Sequence, residues 1–395
     1  MITLERTDFI KALQLVSPIV KAASDIAALK SVRITANGEF AIEANDLDRS
    51  MRCKIAYSGQ PAEFMLPTPA KLATAIRYAG DEQIRLHKDD DAEAGVCIEA
   101  GQLQANLRPT IAPGDFPGVD LVGEEEWGAD IGERELAQLA RLLTAISVEE
   151  TRYYLNGVML SHVGDWTWRG HATDGHRLYI VDIPLPGATG HLPDGIIIPR
   201  QFLKGMLADF ARTKNPVRLS YGMKPLPNDR TDVTLPVHPR GRIFQASGLL
   251  GNVHCAVSTK LIDGHYPDVM RVMPSEVATT ATVDKAALLA AMRSVCAMST
   301  EKTRAIRFDL AEDALTLSLN SPEVGQSAYR IKASVHGLQP GPLSTIGFNG
   351  RYLFDLCSAL SGAEVTIGIS GNGLPATFTD PADPTFKAVL MPVRI

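Results

Sequence analysis

Residues 68–86, TPAKLATAIRYAGDEQIRL, contain the structural unit on which the fold prediction rests. Leu72 and Ile76 are spaced for one apolar face of a helix, and Thr68-Pro69 before them is typical of an N-cap followed by a first helical residue. The short alternating stretch Ile84-Arg85-Leu86 is typical of a β-strand. These residues therefore predict a helix followed by a strand.

The same helical periodicity occurs in six segments, which form three pairs along the chain. Their apolar positions are Phe9/Leu13/Val16/Val20, Leu72/Ile76/Ala79, Leu136/Leu139/Leu143/Ile146, Leu203/Met206/Leu207/Phe210, Leu288/Met292/Val295 and Leu353/Leu356/Leu360. Pro199, Asp284 and Asn349 are further helix-start signals. Alternating strands follow at residues 32–34, 84–86, 217–219, 306–308 and 365–367. The repeated unit is one helix followed by a few antiparallel strands, used twice in each of three domains.

The length of 395 residues favours two or three domains rather than one. Residues 114–119 (GDFPGV) and 264–269 (GHYPDV) resemble each other about one domain length apart. The Pro-, Asp- and Arg-rich tract 222–242 is predicted to be a loop excursion inside the second domain. We predict an α+β fold of three similar domains, each with two helices and flanking antiparallel sheets, at residues 1–125, 126–270 and 271–395.

The composition is that of a soluble globular protein, with 45% hydrophobic and 21% charged residues. No apolar run approaches the ~20 residues needed to span a bilayer, and the N-terminus lacks a signal-peptide pattern, so we expect a cytoplasmic protein that does not interact with membranes. The five cysteines are odd in number and never form a C-x-x-C pair. We expect buried thiols, with neither a metal nor a cofactor.

The net charge of −6 argues against a protein that binds nucleic acid through bulk positive charge. The basic residues are unevenly distributed, however, because acids concentrate in strands, loops and linkers. Each basic residue on a helix could simply lie on a solvated face. As a set, they predict a basic surface built from helices and suited to a phosphate backbone; they are Lys11, Lys21, Lys71, Arg77, Arg141, Arg200, Lys204, Arg212, Arg293 and Arg351.

Residues 171–178, HATDGHRL, permit two interpretations. Asp174 and His176 have the chemistry of an acid/base pair, and His171 with His176 that of a metal site. Asp174-Gly175 between apolar strands is also the usual signal of a two-residue hairpin turn, with a positive φ at the glycine. The residues of this stretch alone leave both interpretations open.

Six segments together resemble one family, the bacterial DNA polymerase III β subunit, which is the replication sliding clamp. The likeness runs in order along nearly the whole chain. The segments are TRYYLNGVML (151–160), HATDGHRL (171–178), DGHYPDVMRVMP (263–274), STEKTRAIRF (299–308), IGFNGRYLFDL (346–356) and KAVLMPVRI (387–395).

The resemblance implies three domains of the DNA-clamp fold and a head-to-tail homodimer that closes into a ring. In this family the helices line a hole for duplex DNA, and the subunit is a non-catalytic processivity factor of replication. Contacts to phosphates rather than to base edges suit a ring that must move along any sequence. The implied partners are DNA, a second copy of the chain, polymerase subunits, the clamp loader and repair proteins.

The resemblance also implies specific residues. Short linear peptides of the partner proteins would dock in a hydrophobic cleft formed by Leu155, Thr173, Gly175, His176, Arg177, Leu178, Pro267, Arg271, Val272, Tyr352, Val389, Leu390, Met391, Pro392 and Val393. Asp174 would then shape the turn. For Val389 a place in a last core strand is the alternative, and Tyr153 and Tyr154 could be core aromatics. The residues expected to face DNA are Arg77, Arg152, Tyr153, Tyr154, Arg200 and Lys204.

The chain also departs from the family pattern. KAASDIAALKSV (21–32) lacks the expected turn with proline and arginine, and the ring-closing stretches 105–111 and 296–300 are less apolar than usual. These departures leave open a diverged or second-copy member. Two other functions stay as alternatives: a hydrolase using Asp174 and His176, or a metal at His171 and His176, although no G-x-S-x-G, H-E-x-x-H or P-loop motif accompanies them; and a DNA-binding protein with an open basic groove.

Overall fold

The computed structural model describes residues 1–88, 95–108, 111–193, 195–224, 241–298, 305–321, 324–338, 345–371 and 373–395. Within these residues there are six α-helices, two in each predicted domain range, as the sequence predicts. They are α1 (Arg6–Val16), α2 (Pro69–Arg77), α3 (Glu133–Leu142), α4 (Arg200–Phe210), α5 (Lys285–Cys296) and α6 (Gly350–Ala359). No helix of the described residues is long and apolar enough to cross a membrane.

The predicted helix starts agree in position with the observed ones. The Asp284 side chain accepts a hydrogen bond from the Ala287 amide at 2.7 Å, and the Asn349 side chain accepts from the amides of Arg351 and Tyr352. Thr68 precedes α2 with a left-handed φ of 50° and makes no side-chain capping bond. Capping side chains therefore fix α5 and α6, whereas the proline at its first position fixes α2.

Four helices end before the last apolar residue of the predicted pattern. Val20, Ala79, Ile146 and Leu360 all follow their helices. The last three are nevertheless buried, because the turn after each helix continues to pack on the core. Periodicity identified core residues correctly there, but it overestimated helix length.

The described residues divide into two compact units, and the division passes through the predicted central domain. Unit 1 comprises Met1–Ala137, Leu185–Pro193 and Gln201–Leu261. Unit 2 comprises Gln138–Pro184, Asp194–Arg200 and Ile262–Ile395, with residue 194 outside the described residues. Each unit contains one nine-stranded antiparallel sheet and one smaller sheet.

In unit 1 the five-stranded sheet has the order β5-β1-β7-β8-β9, with β1 (Ile2–Glu5), β5 (Tyr57–Gly59), β7 (Gln83–Lys88), β8 (Val96–Ala100) and β9 (Leu103–Leu107). The nine-stranded sheet has the order β14-β10-β16-β17-β18-β4-β3-β2-β6, with β2 (Ser31–Ala36), β3 (Phe40–Asn45), β4 (Arg49–Ile55), β6 (Ala62–Pro67), β10 (Glu124–Ile131), β14 (Thr189–Gly190), β16 (Val217–Met223), β17 (Arg242–Leu250) and β18 (Val253–Lys260). Because β18 pairs with β4, this sheet joins strands of the first two predicted domains.

The predicted excursion 222–242 is shorter than expected at both ends, because β16 runs to Met223 and β17 begins at Arg242. Residues 225–240 lie outside the described residues. Three of the segments singled out in the sequence also fall partly outside them. These are residues 109–110 of the stretch 105–111, residues 299–300 of the stretch 296–300, and residues 299–304 of the segment STEKTRAIRF.

In unit 2 the nine-stranded sheet has the order β15-β11-β12-β13-β27-β26-β25-β19-β23, with β11 (Gly157–Gly164), β12 (Thr167–Thr173), β13 (Arg177–Pro184), β15 (Ile196–Pro199), β19 (Thr279–Asp284), β23 (Ser334–His336), β25 (Glu364–Ile369), β26 (Ala376–Asp380) and β27 (Asp383–Leu390). The four-stranded sheet has the order β22-β21-β20-β24, with β20 (Ala305–Ala311), β21 (Ala314–Ser321), β22 (Gly325–Lys332) and β24 (Thr345–Asn349). The pairing of β13 with β27 brings the end of the chain beside the segment 171–178.

The two similar segments 114–119 and 264–269 each place one aromatic ring in a core. Phe116 is buried in unit 1, with the Arg33 guanidinium 5.1 Å from its ring centroid. Tyr266 is buried in unit 2, where its hydroxyl accepts a hydrogen bond from the Thr173 amide at 3.1 Å. The similarity in sequence therefore reflects an equivalent packing role, which in the second segment lies under residues 171–178.

Asp209 on α4 is a half-buried carboxylate whose ionisation opposes folding. Burial raises its pKa from an ordinary value of 3.8 to about 6, and Lys11 offsets this only in part. The folded chain thus binds a proton more tightly than the unfolded chain, so stability falls as pH rises from about 4 to 6. Asp209→Asn should stabilise the chain by about 1–2 kcal/mol at pH 7.5 and lose this advantage below pH ~4.

Urea denaturation of the full chain at both pH values measures the difference. Asp25→Asn, at an exposed aspartate outside the helices, is the matched control and should stay within ~0.5 kcal/mol of the original chain. An unchanged or lower stability of Asp209→Asn at pH 7.5 would contradict the burial argument.

Candidate functional site

Residues 171–178 form the hairpin between β12 and β13, as one of the two interpretations predicts. Thr173 pairs with Leu178, so the connection contains four residues rather than the expected two. Gly175 has a φ of +89°, and the Asp174 side chain accepts hydrogen bonds from the amides of His176 (3.0 Å) and Arg177 (3.1 Å). Asp174 closes the turn by satisfying backbone donors, which is why the loop is longer than a two-residue turn.

The geometry of this turn contradicts the catalytic and metal-binding interpretations. Asp174 accepts bonds from the turn amides and from Arg177 Nε at 3.0 Å, so it serves the loop rather than a histidine. Burial, assisted by the charge of Arg169, lowers the pKa of His171 to about 4, and its ring packs edge-to-face on Tyr266. Among the described residues, one group of three has ligand atoms close enough for a metal, and it contains neither His171 nor His176.

Arg177 joins the turn to α6. Its guanidinium donates to Asp174 (Nε to Oδ2, 3.0 Å) and to Asp355 (Nη1 to Oδ2, 2.8 Å). It also lies over the Tyr352 ring, with Cζ 4.4 Å from the ring centroid. Burial acts to lower the pKa of Arg177, but the hydrogen bond to Asp355 and the nearby negative charge raise it overall. The arginine therefore stays charged and fixes the position of the Tyr352 ring.

The exposed His176 ring stacks on the Tyr352 ring. Its centroid lies 5.9 Å from that of Tyr352, with the two planes 23° apart. Three predicted cleft residues, His176, Arg177 and Tyr352, are thus in mutual contact through the ring of Tyr352. Asp355, one helical turn after Tyr352, was not predicted, although an acid at that spacing on α6 is visible in the sequence.

Several predicted cleft residues lie beneath the surface. Leu155, Leu178 and Val389 belong to one buried cluster with Tyr266 and Val269, each no more than 6% exposed. Leu390 is also fully buried, as the last residue of β27. The alternative interpretation of Val389 as part of a last core strand is therefore confirmed. These residues form a buried apolar layer beneath the surface, and little of their side-chain area could contact a ligand directly.

The exposed apolar residues of this region lie after β27 and at the end of the 3₁₀ segment Val269–Val272. Met391 is 38% exposed, Val393 36% and Val272 46%. The tail is held in place because the Met391 amide donates to the His176 carbonyl (2.9 Å) and the Val393 amide to the Gly347 carbonyl (2.8 Å). Apolar side chains on a fixed backbone form a surface suited to anchoring residues of a peptide.

The remaining cleft candidates occupy the edge of this region. Pro267 and Arg271 are exposed, and Pro392 is half-buried. Arg271 Nε donates to Asp268 Oδ2 at 3.1 Å, in an ion pair that is open to solvent. Thr173 is nearly buried, and its hydroxyl donates to the Arg177 carbonyl at 2.6 Å. Thr173 therefore supports the turn, whereas Arg271 offers a charge that is exposed to solvent.

The 3₁₀ segment Glu150–Leu155 carries three of the predicted DNA-facing residues. Tyr153 is 53% exposed, and its ring packs edge-to-face on the half-buried Tyr154. Arg152 donates to Glu149 (Nη2 to Oε2, 2.7 Å) and to the Asp174 carbonyl at 3.3 Å. In this structure the Arg152 side chain thus lies against the hairpin turn, so its predicted role towards DNA stays a prediction.

The other DNA-facing candidates differ in exposure. Arg200 is half-buried, and its amide donates to the Asn156 carbonyl at 3.0 Å, next to the segment that carries Tyr153. Arg77 and Lys204 lie on α2 and α4 of unit 1, and both side chains are exposed. Exposure makes Arg77 and Lys204 available to a phosphate backbone, whereas Arg200 is available only in part.

The predicted set of ten basic helix residues is too broad. Lys21 and Arg212 follow their helices, and Lys21 Nζ donates to the Asp46 carbonyl. Arg141 is half-buried and pairs with Asp383, whose carboxyl has its pKa lowered to about 2 because hydrogen bonds from Thr385 and Arg141 outweigh burial. The prediction was wrong for these three residues, because helical periodicity does not show where a helix ends or which acid lies opposite.

Comparisons with known proteins assign the chain to a family. The family model for the DNA polymerase III beta subunit central domain matches residues 131–268, and the model for its C-terminal domain matches residues 270–394. The Beta sliding clamp of Caulobacter vibrioides is 30% identical over the full length of both chains. That of Escherichia coli is 26% identical over all of this chain and 99% of its own.

Solved structures give the same assignment. The crystal structure of the Caulobacter crescentus beta sliding clamp superposes with a TM-score of 0.85 at 29% identity and covers 100% of this chain and 99% of that one. A Bartonella birtlesii DnaN sliding clamp superposes with a TM-score of 0.83, again at 29% identity and with the same coverage. The chain therefore belongs to the bacterial DNA polymerase III beta subunits, the sliding clamps, which are non-catalytic processivity factors.

Proposed function

We propose that two copies of this chain close head-to-tail into a ring around duplex DNA and tether a replicative polymerase to it. The observation that carries the proposal is the similarity to beta sliding clamps along the whole chain. A closed ring of two copies needs all three domains of each copy, and it needs the surfaces at both ends of each copy that meet the other copy. The domain limits 1–125, 126–270 and 271–395 and a cytoplasmic location belong to the same proposal.

Enclosure would explain how an acidic chain holds DNA. A ring needs no strong attraction to phosphates, since it leaves a closed circle only by opening. Exposed, flexible cations such as Arg77 and Lys204 suffice for contacts that exchange along the duplex. Tyr153 offers a further exposed ring, while a fixed set of base contacts would stop the movement.

The surfaces proposed to close the ring are polar in part. On β9, the edge strand of the five-stranded sheet, Gln104 and Asn106 are exposed and Leu103 and Leu107 are half-buried. Near the end of α5, Met298 is exposed. Closure would therefore depend on backbone pairing and polar contacts more than on apolar burial, which favours a dimer that opens readily.

We further propose that the surface around Met391 binds linear peptides of polymerases, the clamp loader and repair proteins. The exposed Met391, Val393 and Val272 would receive the apolar anchors of a peptide, while His176 and Arg271 would orient its polar groups. Two relatives support a ligand site in this family: the Caulobacter crescentus clamp binds polyethylene glycol at a region assigned to beta-motif tethering, and the Bartonella birtlesii clamp binds griselimycin.

Retention on circular DNA tests the ring. Light scattering after size exclusion should give about twice 42.6 kDa at micromolar concentration. Protein loaded by the host clamp loader onto a nicked circular plasmid should co-elute with it, and cutting the plasmid once should release the protein because it slides off the ends.

The alternative of an open basic groove makes the opposite prediction. A groove would bind short linear duplex directly, and its binding would weaken steeply with salt without any dependence on DNA ends. Equal retention before and after linearisation, or a persistent monomer, would overturn the proposed enclosure.

A further inference from the structure

Three potential metal ligands lie together on the five-stranded sheet of unit 1. His87 on β7 is the direct cross-strand partner of Cys97 on β8, and Glu99 follows Cys97 by two residues on the same face. Their ligand atoms all lie within 4.8 Å of one another, and no other group of three among the described residues does so. Neither DNA enclosure nor peptide binding makes use of this cluster.

Neighbouring groups orient His87 and Cys97 as metal ligands are usually oriented. His87 Nδ1 lies 2.9 Å from the Lys88 carbonyl oxygen, so Nδ1 carries the proton and donates it, which leaves the lone pair on Nε2. Nε2 lies 3.6 Å from Glu99 Oε1. The Gln104 amide donates to Cys97 Sγ at 3.7 Å and would stabilise a thiolate. At zinc-bound histidines, the ring nitrogen that does not bind the metal commonly donates to a backbone carbonyl in this way.

The position of the cluster gives an ion access from one side only. Leu86 and Ile98, which alternate with the three ligands along β7 and β8, are fully buried on the opposite face of the sheet. Cys97 is 3% exposed, whereas the side chains of His87 and Glu99 are 35% and 39% exposed. An ion would therefore rest on the sulfur and complete its coordination with water on the open side.

We infer that His87, Cys97 and Glu99 bind one zinc ion per chain. A thiolate with an imidazole selects zinc over magnesium or calcium, which prefer oxygen ligands. Zinc-to-ligand bonds of 2.0–2.3 Å place neighbouring tetrahedral ligands about 3.3–3.8 Å apart. The His87–Glu99 separation already falls in this range, and the sulfur needs to approach by no more than about 1 Å.

Zinc binding to tag-free protein tests the inference directly. Titration of the full chain against a chromophoric zinc chelator should show one site per chain, and Co²⁺ in place of zinc should give a thiolate-to-metal charge-transfer band. His87→Gln should weaken zinc binding at least ~100-fold, because changing a group that only hydrogen-bonds to a ligand already costs about 10–100-fold. Cys97→Ser should abolish the charge-transfer band.

One control variant and one control measurement keep the result unambiguous. His254→Gln alters an exposed histidine on another strand of unit 1 and should bind zinc normally. Since His87 is half-exposed, its replacement should leave the circular dichroism spectrum unchanged, so loss of zinc binding would not reflect unfolding. The inference is overturned if the original chain binds no zinc, or if His87→Gln and Cys97→Ser bind it with unchanged affinity. None of these readouts depends on ring formation.

Discussion

Arg177→Ala is expected to destabilise the chain by about 3 kcal/mol. The arginine side chain is 8% exposed and forms ion pairs with Asp174 and Asp355. Removing one partner of a buried pair typically costs ~3–5 kcal/mol, because the remaining charge is left without compensation. The lower end applies here, since Asp174 and Asp355 remain 15% and 28% exposed. Urea denaturation of the full chain measures the change.

Hydrogen–deuterium exchange would localise this effect. Faster exchange is expected in the hairpin around Asp174 and in α6, the two elements that Arg177 joins. Arg271→Ala is the matched control, because it removes an Arg–Asp pair of the same sequence spacing that is open to solvent and worth less than ~1 kcal/mol. Equal losses for both variants would show that burial of Arg177 contributes nothing.

Met391→Ala should weaken binding of a Gln-x-x-Leu-Phe pentapeptide by about 2 kcal/mol, or ~30-fold from a micromolar Kd. Met391 is 38% exposed, and its amide is bonded to the His176 carbonyl. The substitution removes the flexible apolar side chain and keeps that backbone bond. The loss would thus arise from the anchoring contact itself. Fluorescence anisotropy of a labelled peptide gives both affinities.

Leu249→Ala is the control for this measurement. Leu249 is a similarly exposed apolar residue, but it lies on β17 of unit 1 and outside the proposed cleft. Its replacement should leave peptide affinity within twofold. If Met391→Ala bound the peptide as tightly as the original chain, the tail would not belong to the binding surface.

The hairpin 171–178 shows how far local sequence could be interpreted. The Asp174-Gly175 pair predicted a turn with a positive φ, and Gly175 has one. The length of the turn was wrong, because the Asp174 carboxylate bonds to two amides of the loop and thereby favours four residues. Side-chain bonds to backbone amides depend on three-dimensional positions that a dipeptide signal does not contain.

The candidate site shows the same limit on a larger scale. Similarity to a family indicated Arg177 and Tyr352, but not the bond from Arg177 to Asp355, 178 positions along the chain. The zinc-site residues were missed as well. Sequence signals for metals rely on short spacings such as C-x-x-C, whereas His87 and Cys97 become neighbours only through strand pairing.

The sequence by itself determined the six helices, their three pairs, the antiparallel strands after them and the membership of a clamp family, since periodicity and capping are local properties of the chain. Only the tertiary structure decided which apolar residues of the site are buried and which are exposed. Val389 and Met391 are both apolar residues of the same tail, yet the first is 2% exposed and the second 38%. The difference arises because β27 pairs with β13 only as far as Leu390, and strand pairing between distant segments is what buries a side chain.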